Sequence, residues 1–164
     1  SKWKRISPQS FKPTAKGVGG YMNSTLAKID AVENGYDDAI MLGDNDVVAE
    51  GSGQNLFLIK NGKIFTPPIE TGALGGITRK TVIEIASKLG LETEEININA
   101  NQLKDADELF FTGTATEVVG VVSVDGEDIS NGNPGQITGD IRKKYLEIVN
   151  GEDEDFLHYL TLVQ

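Results

Sequence analysis

The chain has 164 residues, the length of one domain and enough to bury a sizeable core. With 15 basic against 25 acidic side chains its net charge is −10, which argues against a nucleic-acid partner, and no apolar run nears the roughly 20 residues of a membrane span. It has no cysteine and a single histidine, His158, which excludes disulfides, thiolate nucleophiles and cysteine-ligated zinc and makes a histidine triad or multi-histidine metal site hard to build.

Residues 1–15, with Pro8, Pro13 and little periodicity, read as a linker into a folded unit that begins at Lys16. There is no initiator Met and no apolar signal region, so the expectation is a segment cut from a longer chain. Met22, Leu26, Ile29 and Val32 recur at helical spacing up to Asn34 and Gly35, which predicts an amphipathic helix over residues 21–34. Short strands follow around 38–43 and 46–50, on either side of the turn formers Asp44, Asn45 and Asp46. The runs LFLIK and KIFT flank Asn61 and Gly62, the strongest local signal for a two-residue hairpin, here over 55–66.

Beyond Pro67, Pro68 and the glycine-rich GALGG, the residues Val82, Ile85, Ala86 and Leu89 share one face of a helix from Ile77 to Leu89, stopped by Gly90. The rest alternates: a strand at 92–98, a short helix near 100–106, a strand at 107–112 and a β pair around Asp125 and Gly126. A final helix over 137–149 puts Ile141, Tyr145, Ile148 and Val149 on its apolar face. The tail at 151–160 starts acidic and ends apolar, so it is expected to fold back on the body. Strands and helices mixed in this order predict an α/β or α+β domain.

Several familiar motifs fail. The glycines at 17, 19 and 20 lack the third member of a dinucleotide fingerprint at Met22, and those at 51 and 53 lack it at Leu56. No Walker lysine follows a suitable glycine run, and Asp44 to Asp46 lack the other ligands of a calcium loop, so no metal is expected. What remains is a set of glycine-rich turns beside polar residues. Gly75, Gly76, Ile77 and Thr78 stand just before a helix, where free N–H groups, the helix dipole and a hydroxyl suit a phosphate; an ordinary N-cap after a glycine turn is the competing reading. Thr112, Gly113, Thr114 and Ala115 offer a second, weaker place of the same kind. Glu50 stands between an apolar pair and a Gly-Ser-Gly turn, either at a strand end facing a cleft or as a plain surface acid. Lys16 lies between Ala15 and Gly17, which leaves room for a ligand beside an amine whose neutral, nucleophilic form desolvation would favour; a solvated charge at a linker end is the plainer alternative.

Taken in order, PTAKGVGGYMNSTLAK at 13–28, VVAEGSGQNLF at 47–57, FTPP at 65–68, GGITRKTVIEIASKLG at 75–90 and ADELFFTGTATEV at 106–118 resemble the large domain of class IV (fold-type IV) pyridoxal-phosphate aminotransferases. Within that family the likeness is greatest to branched-chain amino-acid aminotransferases, and the blocks are collinear over nearly the whole chain. The resemblance implies a mixed α/β large domain over 16–164, a pseudo-barrel of strands surrounded by helices. It implies pyridoxal 5'-phosphate as cofactor, and transamination between L-branched-chain amino acids and 2-oxoglutarate by a ping-pong cycle. It also implies cytoplasmic location and a homo-oligomer, a dimer or larger, with no nucleic-acid or membrane partner. D-amino-acid aminotransferase and aminodeoxychorismate lyase are alternatives inside the family, since one lysine and cofactor serve several chemistries. An inactive cofactor-binding fragment is a further alternative.

Carried over by position, Lys16 matches the Schiff-base lysine, which forms the internal aldimine and then shuttles a proton. Glu50 matches the acid at the pyridine nitrogen, and Tyr21 the tyrosine at the ring's phenolic oxygen, with the glycines between Lys16 and Tyr21 allowing the ring to approach. Leu74 matches the residue packed on the ring face, Ile77 and Thr78 the phosphate cup, and Thr114 a further phosphate donor. Thr114 and Ala115 match the place of the substrate carboxylate. Arg79 is assigned to structure and left outside the site. Two departures stand out: Gly75 occupies a position where the family usually has proline, and the family's small N-terminal domain has no counterpart in these residues. That domain supplies part of the substrate pocket, a phosphate-binding arginine and much of the dimer contact.

Overall fold

The computed structural model describes residues 1–161. In chain order its elements are α1 (Met22–Glu33), β1 (Ile40–Leu42), β2 (Val48–Gly51), β3 (Asn55–Lys60), β4 (Lys63–Thr66), α2 (Ile77–Lys88), β5 (Thr93–Glu95), α3 (Ala100–Lys104), β6 (Glu108–Gly113), β7 (Glu117–Val121), β8 (Ser123–Val124), β9 (Glu127–Asp128) and α4 (Gln136–Val149). The mixed α/β class expected from the sequence is what forms.

β3 organises the body. Its run of consecutive apolar side chains suits a strand buried on both faces, and it lies in the middle of a five-stranded sheet of order β5-β4-β3-β6-β7. Phe57 and Ile59 point to one side, where they pack with Val82, Ile85 and Ala86 of α2, Ile141, Tyr145 and Ile148 of α4, and Phe156 of the tail. Leu56 and Leu58 point to the other, against Val48, Ile98, Leu103 and Leu109. Phe57 stands opposite Phe110 of β6, their rings stacked 4.9 Å apart and 2° from parallel. The β3–β4 turn works because Asn61 and Gly62 take the positive φ values, 51° and 74°, that a tight hairpin demands. β5 joins β4 in parallel, which makes the sheet mixed.

The tail folds back as expected. Phe156 is buried, and Asp153 and Asp155 pair with Lys144 and Lys88. Three expectations are corrected. The strand expected at 92–98 is only β5, because the chain leaves the sheet edge at Ile96. β7 was not foreseen: it pairs along β6 from Glu117 to Val121, and the glycine at 120 that interrupts its apolar run sits where a Cβ would meet Pro134 at 3.1 Å. The helix at 21–34 forms as α1 but turns its other side inward. It buries Ser24, Ala27 and Ala31, while Met22, Leu26, Ile29 and Val32 are 38–65% exposed. Small side chains let α1 approach Ala39, Met41 and Trp3 closely, which a row of large ones would prevent.

A carboxylate ties α1 to the turn after β2. Asp38 accepts from Lys28 at 2.9 Å, Ser52 at 2.5 Å, Gln54 at 2.9 Å and the Ala39 N–H at 2.7 Å. Burial alone would raise this carboxyl, but those hydrogen bonds bring it below the ordinary value of 3.8. A carboxylate lowered by folding contributes stability that is present above pH 3.8 and is lost as the pH falls through the lowered folded value. Asp38→Ala is therefore expected to cost about 1–3 kcal/mol near neutrality in urea denaturation, with the gap to wild type closing in acid. Equal midpoints for the two proteins at neutral pH would contradict this.

Candidate active site

Glu50, near the end of β2, is 3% exposed. A charge taken out of water must be paired and hydrogen-bonded. Arg5, itself buried, supplies the pair: its Nη2 lies 2.9 Å from Glu50 Oε1. The Leu74 N–H donates to Oε2 at 2.9 Å, and Asn55 Nδ2 donates to the same oxygen at 3.0 Å. Every one of these neighbours is a donor, a setting that favours the carboxylate, which only accepts, over the protonated acid. Of its roughly four lone-pair positions the described residues take three, and the one they leave is on Oε1. Burial pushes the Glu50 carboxyl above the usual glutamate range, opposed by the Arg5 charge, the Leu74 N–H and, farther off, Arg79.

The neighbours are held in turn. Arg5 donates through Nη1 to Ser24 Oγ of α1 at 2.6 Å and through Nε to the Gly72 carbonyl at 3.3 Å, while its guanidinium lies 5.6 Å from the centre of the Tyr21 ring. Gly72 presents that carbonyl with φ at 98°, a backbone shape that glycine adopts freely. Asn55, at the head of β3, also donates to the Leu74 carbonyl at 2.7 Å. It thereby holds the 74 loop and Glu50 together.

Lys16 follows a single helical turn over Pro13–Ala15 and closes it with its own N–H on the Pro13 carbonyl at 3.1 Å. Its φ of 47° and ψ of 32° are left-handed, a conformation that costs a non-glycine residue roughly 1–2 kcal/mol. Lys16 and Tyr21 line one narrow cleft with Arg5, Phe11, Gly17 and Gly20. The space expected for a ligand at the glycines is partly filled: a Cβ on Gly17 or Gly20 would meet the Phe11 ring at 2.8 or 2.9 Å, and Gly19 alone of the three faces open space. Lys16 is exposed, so the desolvation expected at its amine is absent from this chain. Burial and the Glu50 charge raise the Tyr21 phenol above 10.0, with Arg5 opposing.

The N-terminus of α2 begins against Asn55. Gly76 is its N-cap, and a Cβ there would sit 2.2 Å from Asn55 Oδ1. Thr78 is buried and Ile77 is 80% exposed, and the leading N–H groups of α2 have no partner within the helix. Asn55 pairs with Thr112 across the sheet, which places the turn holding Thr114 and Ala115 at the same sheet end. Lys16 and Tyr21 are thus brought together, Glu50 and Leu74 touch, and Ile77 and Thr78 adjoin them through Asn55. Thr114 and Ala115 stand farther out, exposed, without a hydrogen bond to the other six among the described residues.

Arg5 and Asn55 had no role in the sequence reading. The one signal for Asn55 was a polar residue heading a buried apolar strand; for Arg5 it was an arginine in a chain with only three. Arg79, assigned above to structure, donates through Nη2 to the Pro67 carbonyl at 3.1 Å and pairs with Glu95 at 2.8 Å. Among the described residues no group of three or more His, Asp or Glu could hold a metal, and no helix is long and apolar enough to cross a membrane.

The sequence model of the amino-transferase class IV family matches residues 1–124. The chain belongs to the class IV aminotransferases. Among curated relatives it is 44% identical to the probable branched-chain-amino-acid aminotransferase of Aquifex aeolicus, over 99% of this chain and 53% of the relative. It is 40% identical to the branched-chain-amino-acid aminotransferase of Escherichia coli K12, with the same two coverages. Among solved structures, the branched-chain aminotransferase of Thermoproteus uzoniensis with norvaline superposes at TM-score 0.94, with 42% identity over 98% of this chain and 53% of that one. A T.th. branched-chain amino acid aminotransferase complexed with N-(5'-phosphopyridoxyl)-L-glutamate superposes at 0.97, with 41% identity over 100% and 55%. The chain spans about half the length of the relatives it matches. Its architecture is that of the family's fold-type IV domain.

The two glycines that lead into α2 are not equivalent. A Cβ on Gly75 would meet only Ile69 Cγ2 at 3.9 Å, whereas one on Gly76 would strike Asn55. Gly75→Ala is expected to leave urea stability within about 0.5 kcal/mol of wild type, and Gly76→Ala to lower it by about 1–3 kcal/mol by displacing Asn55 from Glu50. Equal losses in both variants would show that Asn55 does not fix this corner.

Proposed function

We propose that the protein carrying this chain is a pyridoxal-phosphate aminotransferase that moves an amino group between L-branched-chain amino acids and 2-oxoglutarate, with residues 16–164 as the cofactor-binding unit. The observation that carries the proposal is the buried Glu50 carboxylate, surrounded by donors and keeping one acceptor position, at the sheet end where α2 begins. Such a group suits a protonated ring nitrogen, which needs a buried anion beside it. The donor set fits the rest of the cofactor: an amine at Lys16, a phenol at Tyr21 and the leading N–H groups of a twelve-residue helix, α2, which have no partner within that helix. The relatives named for branched-chain substrates support that substrate class.

When bound, pyridoxal phosphate supplies an electron sink for the carbanion left at the substrate Cα. Glu50 would keep the proton on the ring nitrogen by supplying the balancing negative charge. Tyr21 would donate to the phenolic oxygen; its raised phenol keeps the hydroxyl protonated and able to donate at neutral pH. Lys16 would hold the cofactor by its amine and then carry the proton from the substrate Cα. Leu74 would pack on the ring face. The first N–H groups of α2 at Ile77 and Thr78, the Thr78 hydroxyl and Thr114 would bind the phosphate, and the Thr114 and Ala115 backbone the substrate carboxylate.

The test is the intact mass of the chain after incubation with pyridoxal phosphate and borohydride, followed by peptide mapping. One cofactor mass on Lys16, lost in Lys16→Ala, is the expected result. Label spread over surface lysines, or none, would overturn the assignment.

A further inference from the structure

We infer that Arg5 is a positioning residue, whose guanidinium keeps Glu50 a carboxylate and couples it to Tyr21. The inference rests on the proposed cofactor site, since what Glu50 would hold there is a cation. Of the charged groups facing Glu50, Arg5 comes from the N-terminal segment, Arg79 from α2 and Tyr21 from the turn before α1. Arg79 is committed elsewhere, to Glu95 and the Pro67 carbonyl. Among the described residues only Arg5 touches the carboxylate with a full charge, at 2.9 Å, while Asn55 and the Leu74 N–H contribute neutral donors.

The same guanidinium lies against the Tyr21 ring, so one cation serves both acids. Glu50 opposes ionisation of the phenol and Arg5 favours it. Removing Arg5 would leave a buried, unpaired carboxylate, which takes up a proton in preference to staying charged. A neutral Glu50 can no longer balance a protonated ring nitrogen.

Anchoring of the N-terminal segment does not need the guanidinium. The Arg5 N–H donates to the Leu42 carbonyl at 2.8 Å, the Ser1 nitrogen to the Ile40 carbonyl at 2.9 Å and Asn23 to the Lys4 carbonyl at 2.8 Å, and Trp3 packs on the cluster under α1. The side chain runs on past these ties to Ser24, Gly72 and Glu50. A purely structural arginine would be replaceable without effect on how Glu50 titrates.

The experiment follows the isotope-labelled Glu50 carboxyl by NMR against pH in the full chain without cofactor, the resonance being assigned by its loss in Glu50→Gln. Wild-type Glu50 is expected to be ionised at neutral pH. Arg5→Met should move its midpoint up by at least about one pH unit, and Arg5→Lys, which keeps the charge but loses the fork, by less. Should Arg5→Met not fold, the Arg5→Lys shift decides. A neutral Glu50 in the wild type, or an unmoved midpoint in the folded variants, overturns the inference. Borohydride trapping separates the two levels. Label on Lys16 with no shift at Glu50 sinks the role of Arg5 alone, whereas a shift at Glu50 with no label on Lys16 leaves the ion pair standing and removes the cofactor site.

Discussion

A carboxyl group inside a protein is tolerated only when its surroundings are built for it, and Glu50 imposes that demand on this domain. One strand end carries the acid, and four other parts of the chain converge to satisfy it: the N-terminal segment with Arg5, α1 with Ser24 behind Arg5, the head of β3 with Asn55, and the loop at Leu74. The hydrophobic body fixes where these parts can be. β3, buried on both faces, sets the position of Asn55, and its pairing with β6 sets where the turn at Thr114 emerges. A corner that would be costly as a lone buried charge becomes a fixed electrostatic feature once every partner is in place.

Much of the fold was legible in the sequence because its signals are local. Asn61 and Gly62 specify their turn by backbone shape alone, and the spacing of Val82, Ile85 and Ala86 specifies the buried side of α2. Lys16, Glu50 and Tyr21 stand out as candidates through the motif blocks that surround them. Arg5 and Asn55 were not, because their meaning lies in partners far along the chain: Arg5 sits in an aperiodic stretch between a tryptophan and a proline, and nothing nearby announces Glu50. α1 shows a different failure. Large apolar side chains mark the buried face only where the neighbouring surface leaves room, and here a close approach selects Ser24, Ala27 and Ala31 instead. β7 was hidden because Gly120 breaks up its valine-rich run, although pairing with β6 holds it regardless.

The corner also explains the uneven use of glycine. Gly76 is fixed by the amide of Asn55 and Gly72 by the carbonyl it turns toward Arg5, whereas Gly75 has free space and is open to substitution. Gly17 and Gly20 serve the ring of Phe11, so the loop between Lys16 and Tyr21 is shaped by packing from within the chain as well as by any ligand outside it.

The bonds that satisfy the corner are long in sequence. Arg5 reaches the Gly72 carbonyl across 67 residues, the Leu74 N–H reaches Glu50 across 24, and Arg5 reaches Ser24 across 19. Each such closure costs chain entropy before it returns any energy, and none of these polar contacts is worth making until water has been driven out around it. The corner therefore exists only in the folded chain, where β3, β6 and the helices hold its partners together. In an extended chain Arg5, Glu50 and Leu74 have no neighbourhood in common, so the electrostatic character of Glu50 belongs to the tertiary fold and not to its sequence surroundings.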